Sequence, residues 1–75
     1  MTTPIMTSVI SSNVEKVGHD EDNQELHVVF NNGKRYKYSD VSLSDYRDML
    51  ASESIGSFIT HYIKPFHKCE LVGIE

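Results

Sequence analysis

A chain of 75 residues makes one domain with a thin core, because a fold of this size buries only about 60–65% of the surface its unfolded form exposes. Its 39% apolar and 24% charged residues exclude a disordered chain, and a single cysteine, Cys69, excludes an internal disulfide and fits a reducing compartment, the cytoplasm. Seven Lys and Arg against eleven Asp and Glu give a net charge of −4, the wrong balance for gripping extended nucleic acid through many phosphates.

Met1-Thr2-Thr3-Pro4-Ile5-Met6 has neither the basic residues nor the apolar run of a signal peptide, and residues 1–7 are expected to be flexible. Nothing further along approaches the roughly 20 apolar residues of a membrane helix. Residues 9–17 are rich in β-branched side chains and read as a first strand, with Val9, Ile10, Val14 and Val17 as its apolar members. Gly18-His19-Asp20 then leads into the polar loop Glu21-Asp22-Asn23-Gln24. Leu26, Val28 and Phe30 alternate with His27 and Val29, the period of a half-buried strand. Asn31-Asn32-Gly33 is a strong hairpin turn, since Asn and Gly tolerate positive φ. The return strand over residues 34–38 places Tyr36 and Tyr38 on one face and Arg35 and Lys37 on the other. These segments predict a three-stranded antiparallel meander.

Two helices follow. Ser42 caps the first, with Asp45 three residues on, and Leu43, Tyr46, Met49 and Leu50 fall at the spacing of a buried stripe. Ser54 caps the second, with Gly56 and Ser57 in its first turn and Phe58, Ile59, Tyr62 and Ile63 facing the core; Pro65 ends it. The tail, residues 67–75, either adds a short fourth strand through Leu71-Val72 or packs on a neighbouring subunit. The expected fold is therefore α+β: one domain over residues 8–66, a three-stranded antiparallel sheet against two C-terminal helices.

Ser11-Ser12-Asn13-Val14, Val17-Gly18 and Asp20 begin a residue order that resembles the KTSC domain family, named for its place at the C-terminus of some lysyl-tRNA synthetases. The likeness continues through Leu26, Val28, Phe30, Gly33, Tyr36, Tyr38 and Val41, then Tyr46, Met49-Leu50-Ala51, Ser54, Gly56, Phe58 and Ile63-Lys64. It covers residues 8–66, and the pairing of GxxYxY with a later SxGxF is its most specific part. The chain departs from the pattern at His19, where tyrosine is common, at Ser42, where proline is common, and at Ile55, where a lysine often stands. The resemblance implies the same α+β fold and an accessory or stand-alone role, often phage-encoded. For a phage protein of this size it hints at a sponge that sequesters a cyclic nucleotide signal of host defence in the host cytoplasm.

The residues offer parts for such a site. Ser54, Gly56 and Ser57 at a helix start supply unpaired N–H groups and hydroxyls for a phosphate; equally, Ser54 only caps the helix and Gly56 only permits close packing. Arg35 suits a bidentate pair with phosphate or is a solvated strand charge. Tyr36 is placed to stack on a base or to pack in the core. Ser12 brings a hydroxyl from the opening strand. His61 and Lys64 lie on the polar side of the second helix, with Ser57 one turn before His61.

Catalysis is not expected, because there is no GxSxG elbow, no HExxH pair and no phosphate loop ending in Gly-Lys-Ser/Thr. His19, His27, His61 and His67 fall at no zinc-ligand spacing, so neither metal nor cofactor is expected. The predicted function is a small-ligand binder, self-associating, for a cyclic nucleotide or another phosphate-bearing molecule. An RNA- or protein-interaction module is the alternative, as attachment to a tRNA synthetase implies.

Overall fold

Gly33 takes φ 87°, a left-handed conformation open to a residue without Cβ, and its N–H closes the hairpin turn on the Phe30 carbonyl at 2.9 Å. In the computed structural model, which describes residues 5–74, this turn joins strands that the alternation predicts. We number all strands in chain order: β1 (Thr7–Ser8), β2 (Val14–Asp20), β3 (Glu25–Phe30), β4 (Lys34–Tyr38) and β5 (Cys69–Ile74). They form one antiparallel sheet in the order β1-β2-β3-β4-β5. The β2–β3 loop is tied by Asp20, whose carboxylate accepts from the Asp22 N–H at 3.1 Å and from the Asn23 side-chain amide at 2.9 Å.

Among the described residues the sheet has five strands rather than three or four. Of the predicted flexible stretch 1–7, residues 1–4 lie outside the described residues, while Thr7 pairs with Val17, next to the Ser8–Lys16 pair. The first long strand begins at Val14, not Val9, because Ser11 Oγ accepts from the Asn13 and Val14 N–H groups, both at 3.4 Å, which makes a turn where β-branched content suggests a strand. Ser12 therefore sits in a loop, and Ile10 is exposed. At its other end β2 runs on through Gly18-His19-Asp20. The tail does add a strand: β5 pairs with all of β4.

Helix α1 (Leu43–Ala51) starts where Ser42 Oγ accepts from the Asp45 N–H at 3.1 Å, and α2 (Ile55–Phe58) starts at Ser54, whose hydroxyl accepts from the Ser57 N–H at 3.3 Å. A π-helical stretch, Ile59–Ile63, continues α2, with the Lys64 N–H reaching the Ile59 carbonyl at 2.7 Å. Thr60 Oγ1 also donates to the Gly56 carbonyl at 2.9 Å, an oxygen that accepts from the Ile59 N–H as well. Within this π stretch Ile59 and Ile63 face the core, while Tyr62, also expected there, is exposed, as is Leu50 of α1.

Met49, Ile59 and Ile63 from the helices pack on Val14, Val17, Leu26, Val28, Tyr38 and Val41, the main core. Beneath the other sheet face His27 and Val29 are also buried. There the cover is the segment before β1: a Cβ on Gly18 would meet Met6 Sδ at 2.7 Å, so only glycine lets that segment lie flat on the sheet.

Candidate functional site

Helices cover only part of the sheet, and the part they leave bare is a groove. Its volume is about 550 Å³, and Ser12, Asn13, Phe30, Asn31, Asn32, Tyr36, Tyr38, Lys64 and Cys69 line it. The floor is the helix-side face of β4, where Phe30 meets the Tyr36 ring edge-on at 5.7 Å. One wall is the Ser12-Asn13 loop, held to the hairpin by two bonds: Asn31 Nδ2 donates to the Ser12 carbonyl at 2.8 Å, and the Asn31 N–H to the Asn13 carbonyl at 2.9 Å. The opposite wall is Lys64, just past the π-helical stretch. Cys69 of β5 faces Tyr38 across the strand pair, and burial, with the Cys69 thiol beside it, pushes the Tyr38 hydroxyl well above the ordinary tyrosine range. At neutral pH that hydroxyl stays protonated, with the Cys69 thiol as its neighbour.

Chemically, the groove offers an aromatic face, three amide side chains, hydroxyls and one cation. A planar ring can lie on Tyr36, amides can read its edge, and Lys64 can meet one phosphate. No group of three or more metal-ligating side chains occurs among the described residues.

The predicted site residues fall in four places. Ser12, Tyr36 and Lys64 come together in the groove. Ser54, Ser57 and His61 line a smaller, open depression of about 390 Å³ with Ser52, Glu53, Phe58 and Tyr62. There the Ser57 N–H that a phosphate needs is already taken by Ser54 Oγ. Gly56 is buried, and a Cβ on it would lie 3.5 Å from Asn13 and 3.7 Å from Ser11, so its bare face is turned to the Ser11–Asn13 loop. Arg35 is on the far side of the sheet, 3.2 Å from His27 Nδ1 and 3.6 Å from Met6 Sδ. Burial first, then Arg35, depresses the His27 pKa below its ordinary value. His19 and His67 are structural: His19 Nε2 donates to the Val41 carbonyl at 2.6 Å with its ring stacked on Tyr46, and His67 Nδ1 to the Ser39 carbonyl at 2.8 Å.

Sequence reasoning missed Asn13, Phe30, Asn31, Asn32 and Cys69 as groove residues, and it read Tyr38 as core, where it lies while also lining the groove. The two hairpin asparagines carry a signal that turn chemistry hides, since they serve the turn and the wall at once. Cys69 reaches the groove only because the tail is a strand.

Comparison with known proteins agrees with this architecture. The KTSC domain matches residues 10–66. A protein of Tsukamurella paurometabola is 38% identical over 60 residues, spanning 80% of this chain and 90% of its own length. The crystal structure of a KTSC domain protein from Yersinia pestis superposes with a TM-score of 0.89 at 27% identity, covering 95% of this chain and 100% of that one. No helix among the described residues is long and apolar enough to cross a membrane. The chain belongs to the KTSC domain family.

Proposed function

We propose that this protein is a non-catalytic ligand-binding domain that holds a cyclic nucleotide or a related phosphate-bearing molecule in the groove between Tyr36 and Lys64. The observation that carries this reading is the groove itself, at about 550 Å³, within the roughly 300–1,000 Å³ of small-molecule sites. It pairs an aromatic floor with a lone cation, and the net charge of −4 sets the chain against long polyanions but not against a small one. In this reading the protein acts in the cytoplasm as a self-associating sponge. Such a protein retains its ligand and releases it unaltered. Incubation with a nucleotide panel, removal of free ligand, heat release and chromatography test the proposal: intact recovery of one nucleotide supports sequestration, altered product means catalysis, and no retention defeats it.

One observation favours the alternative of a protein-interaction module. The outer edge of β5 is long and exposes Leu71, Val72 and Ile74, and unprotected apolar edges pair with other chains. A second copy on this edge serves the sponge reading too, because it lies beside Cys69 and the open side of the groove.

A further inference from the structure

The sheet face turned away from the helices is covered by Ile5 and Met6, which the edge strand after them, residues 7–9, holds in place, with Val9 turned to the main core. Thr7 and Ser8 pair with Val17 and Lys16, the Val9 N–H donates to the Glu15 carbonyl at 3.1 Å, and Met6 touches Arg35 at 3.6 Å. Gly18 makes the approach possible, since a Cβ there would stand 2.7 Å from Met6 Sδ and 2.9 Å from the Ile5 carbonyl oxygen. Beside Gly18 in register is His27, only 8% exposed.

Geometry sets the protonation of His27. Arg35 Nη2 lies 3.2 Å from Nδ1, and a guanidinium only donates. Nδ1 therefore accepts, and the ring proton sits on Nε2, 3.7 Å from Glu25 Oε1. A second proton on Nδ1 would point at a donor and set two cations against each other. The charged groups on this face are Lys16 and Asp20 of β2, Glu25 of β3, Arg35 and Lys37 of β4 and Glu70 of β5; residues 5–9 carry none. Glu25 and Asp20 favour the imidazolium. Glu25, however, is shared with Lys37 at 3.6 Å, and Asp20 is engaged by its own loop. Burial and the shorter Arg35 contact outweigh them, so the covered ring is held neutral.

We propose that residues 5–9 are an acid-released strap: proton uptake by His27 breaks its bond to Arg35, displaces Arg35 from Met6, and frees β1 from β2 while the rest of the sheet stays folded. The strap yields first because a two-residue pairing, the Val9 N–H bond to Glu15 and the half-buried Val9 side chain at the rim of the core hold it, whereas β2, β3 and β4 share long ladders and supply the fully buried centre of that core. Its release lets water solvate the imidazolium, which removes the penalty of charging a covered ring. It also bares Val29 and the edge of β2, which then becomes available for pairing.

Nuclear magnetic resonance of the whole chain between about pH 8 and about pH 5 tests this, across the range in which a histidine titrates. The expected result is that His27 ring signals and the amide signals of residues 5–9 move with one midpoint, the latter to disordered positions, while Leu26, Val28 and Ile63 hold their shifts. His27→Gln keeps an acceptor for Arg35 and cannot charge, so its strap stays closed throughout. Gly18→Ala opens the strap at both ends of the range. A strap that stays closed in the wild type at about pH 5 overturns the proposal; so does release with the same midpoint in His27→Gln, or loss of the core signals along with the strap.

Discussion

Arg35 and Tyr36 are adjacent in sequence and lie on opposite faces of the sheet, Arg35 hydrogen-bonded to His27 under the residue 5–9 segment and Tyr36 against Phe30 on the floor of the groove. One ligand within one subunit cannot touch both. The cation that shares a surface with Tyr36 is Lys64, and this reassigns the charge to which a phosphate is drawn.

Core truncation should separate the two apolar residues of α1. Met49 is fully buried and Leu50 is 42% exposed. Met49→Ala should lose about 2–5 kcal/mol of unfolding free energy through lost burial and a residual cavity, whereas Leu50→Ala should stay within about 1 kcal/mol. Urea denaturation followed by circular dichroism measures both.

Ser54→Ala distinguishes a cap from a phosphate cradle. Removing the hydroxyl that accepts from the Ser57 N–H should cost about 1 kcal/mol of stability and leave ligand retention unchanged. Loss of retention in a folded Ser54→Ala protein would return the site to the start of α2.

The stability of the fold should depend on His27. Its folded pKa lies below the ordinary histidine value of about 6.5 because of burial and Arg35, so below that pH the unfolded chain binds the extra proton more readily. Stability is fully present above about pH 6.5 and is lost as pH falls towards the folded pKa. Thermal unfolding across this range should show a falling Tm in the wild type and a flatter profile in His27→Gln.

Light scattering should give a mass at least twice the 8.6 kDa of the chain, with β5 as the contact. Val72→Lys places a charge on that edge and should shift the protein to monomer without unfolding it. A wild-type monomer at micromolar concentration would remove the assembly from the account.

Much of the middle of the fold is legible in the residues. Leu26, Val28 and Phe30 alternate, Gly33 turns the chain, and Ser42 and Ser54 cap helices, because each of these signals is local. The outer strands are not legible: Thr7–Ser8 is too short to show a period, and Cys69–Ile74 has no buried side to impose one. His27 and Val29 read as the wet side of β3, yet a segment remote in sequence covers them. The groove was half legible. Ser12, Tyr36 and Lys64 stand out by their chemistry, but their meeting depends on a turn at Ser11 and a π-helical stretch before Lys64, and neither leaves a sequence pattern.

The most direct test of the account is calorimetric titration of a cyclic dinucleotide, identified from the nucleotide panel, into the wild type and three folded variants. Tyr36→Ala should weaken binding by the loss of a stacked base, about 1–3 kcal/mol, and Lys64→Glu should abolish it by setting a like charge against the phosphate. Arg35→Ala, altered on the far face, should bind as the wild type does. Binding that survives in Tyr36→Ala and Lys64→Glu but fails in Arg35→Ala would contradict the assignment of the groove as the site.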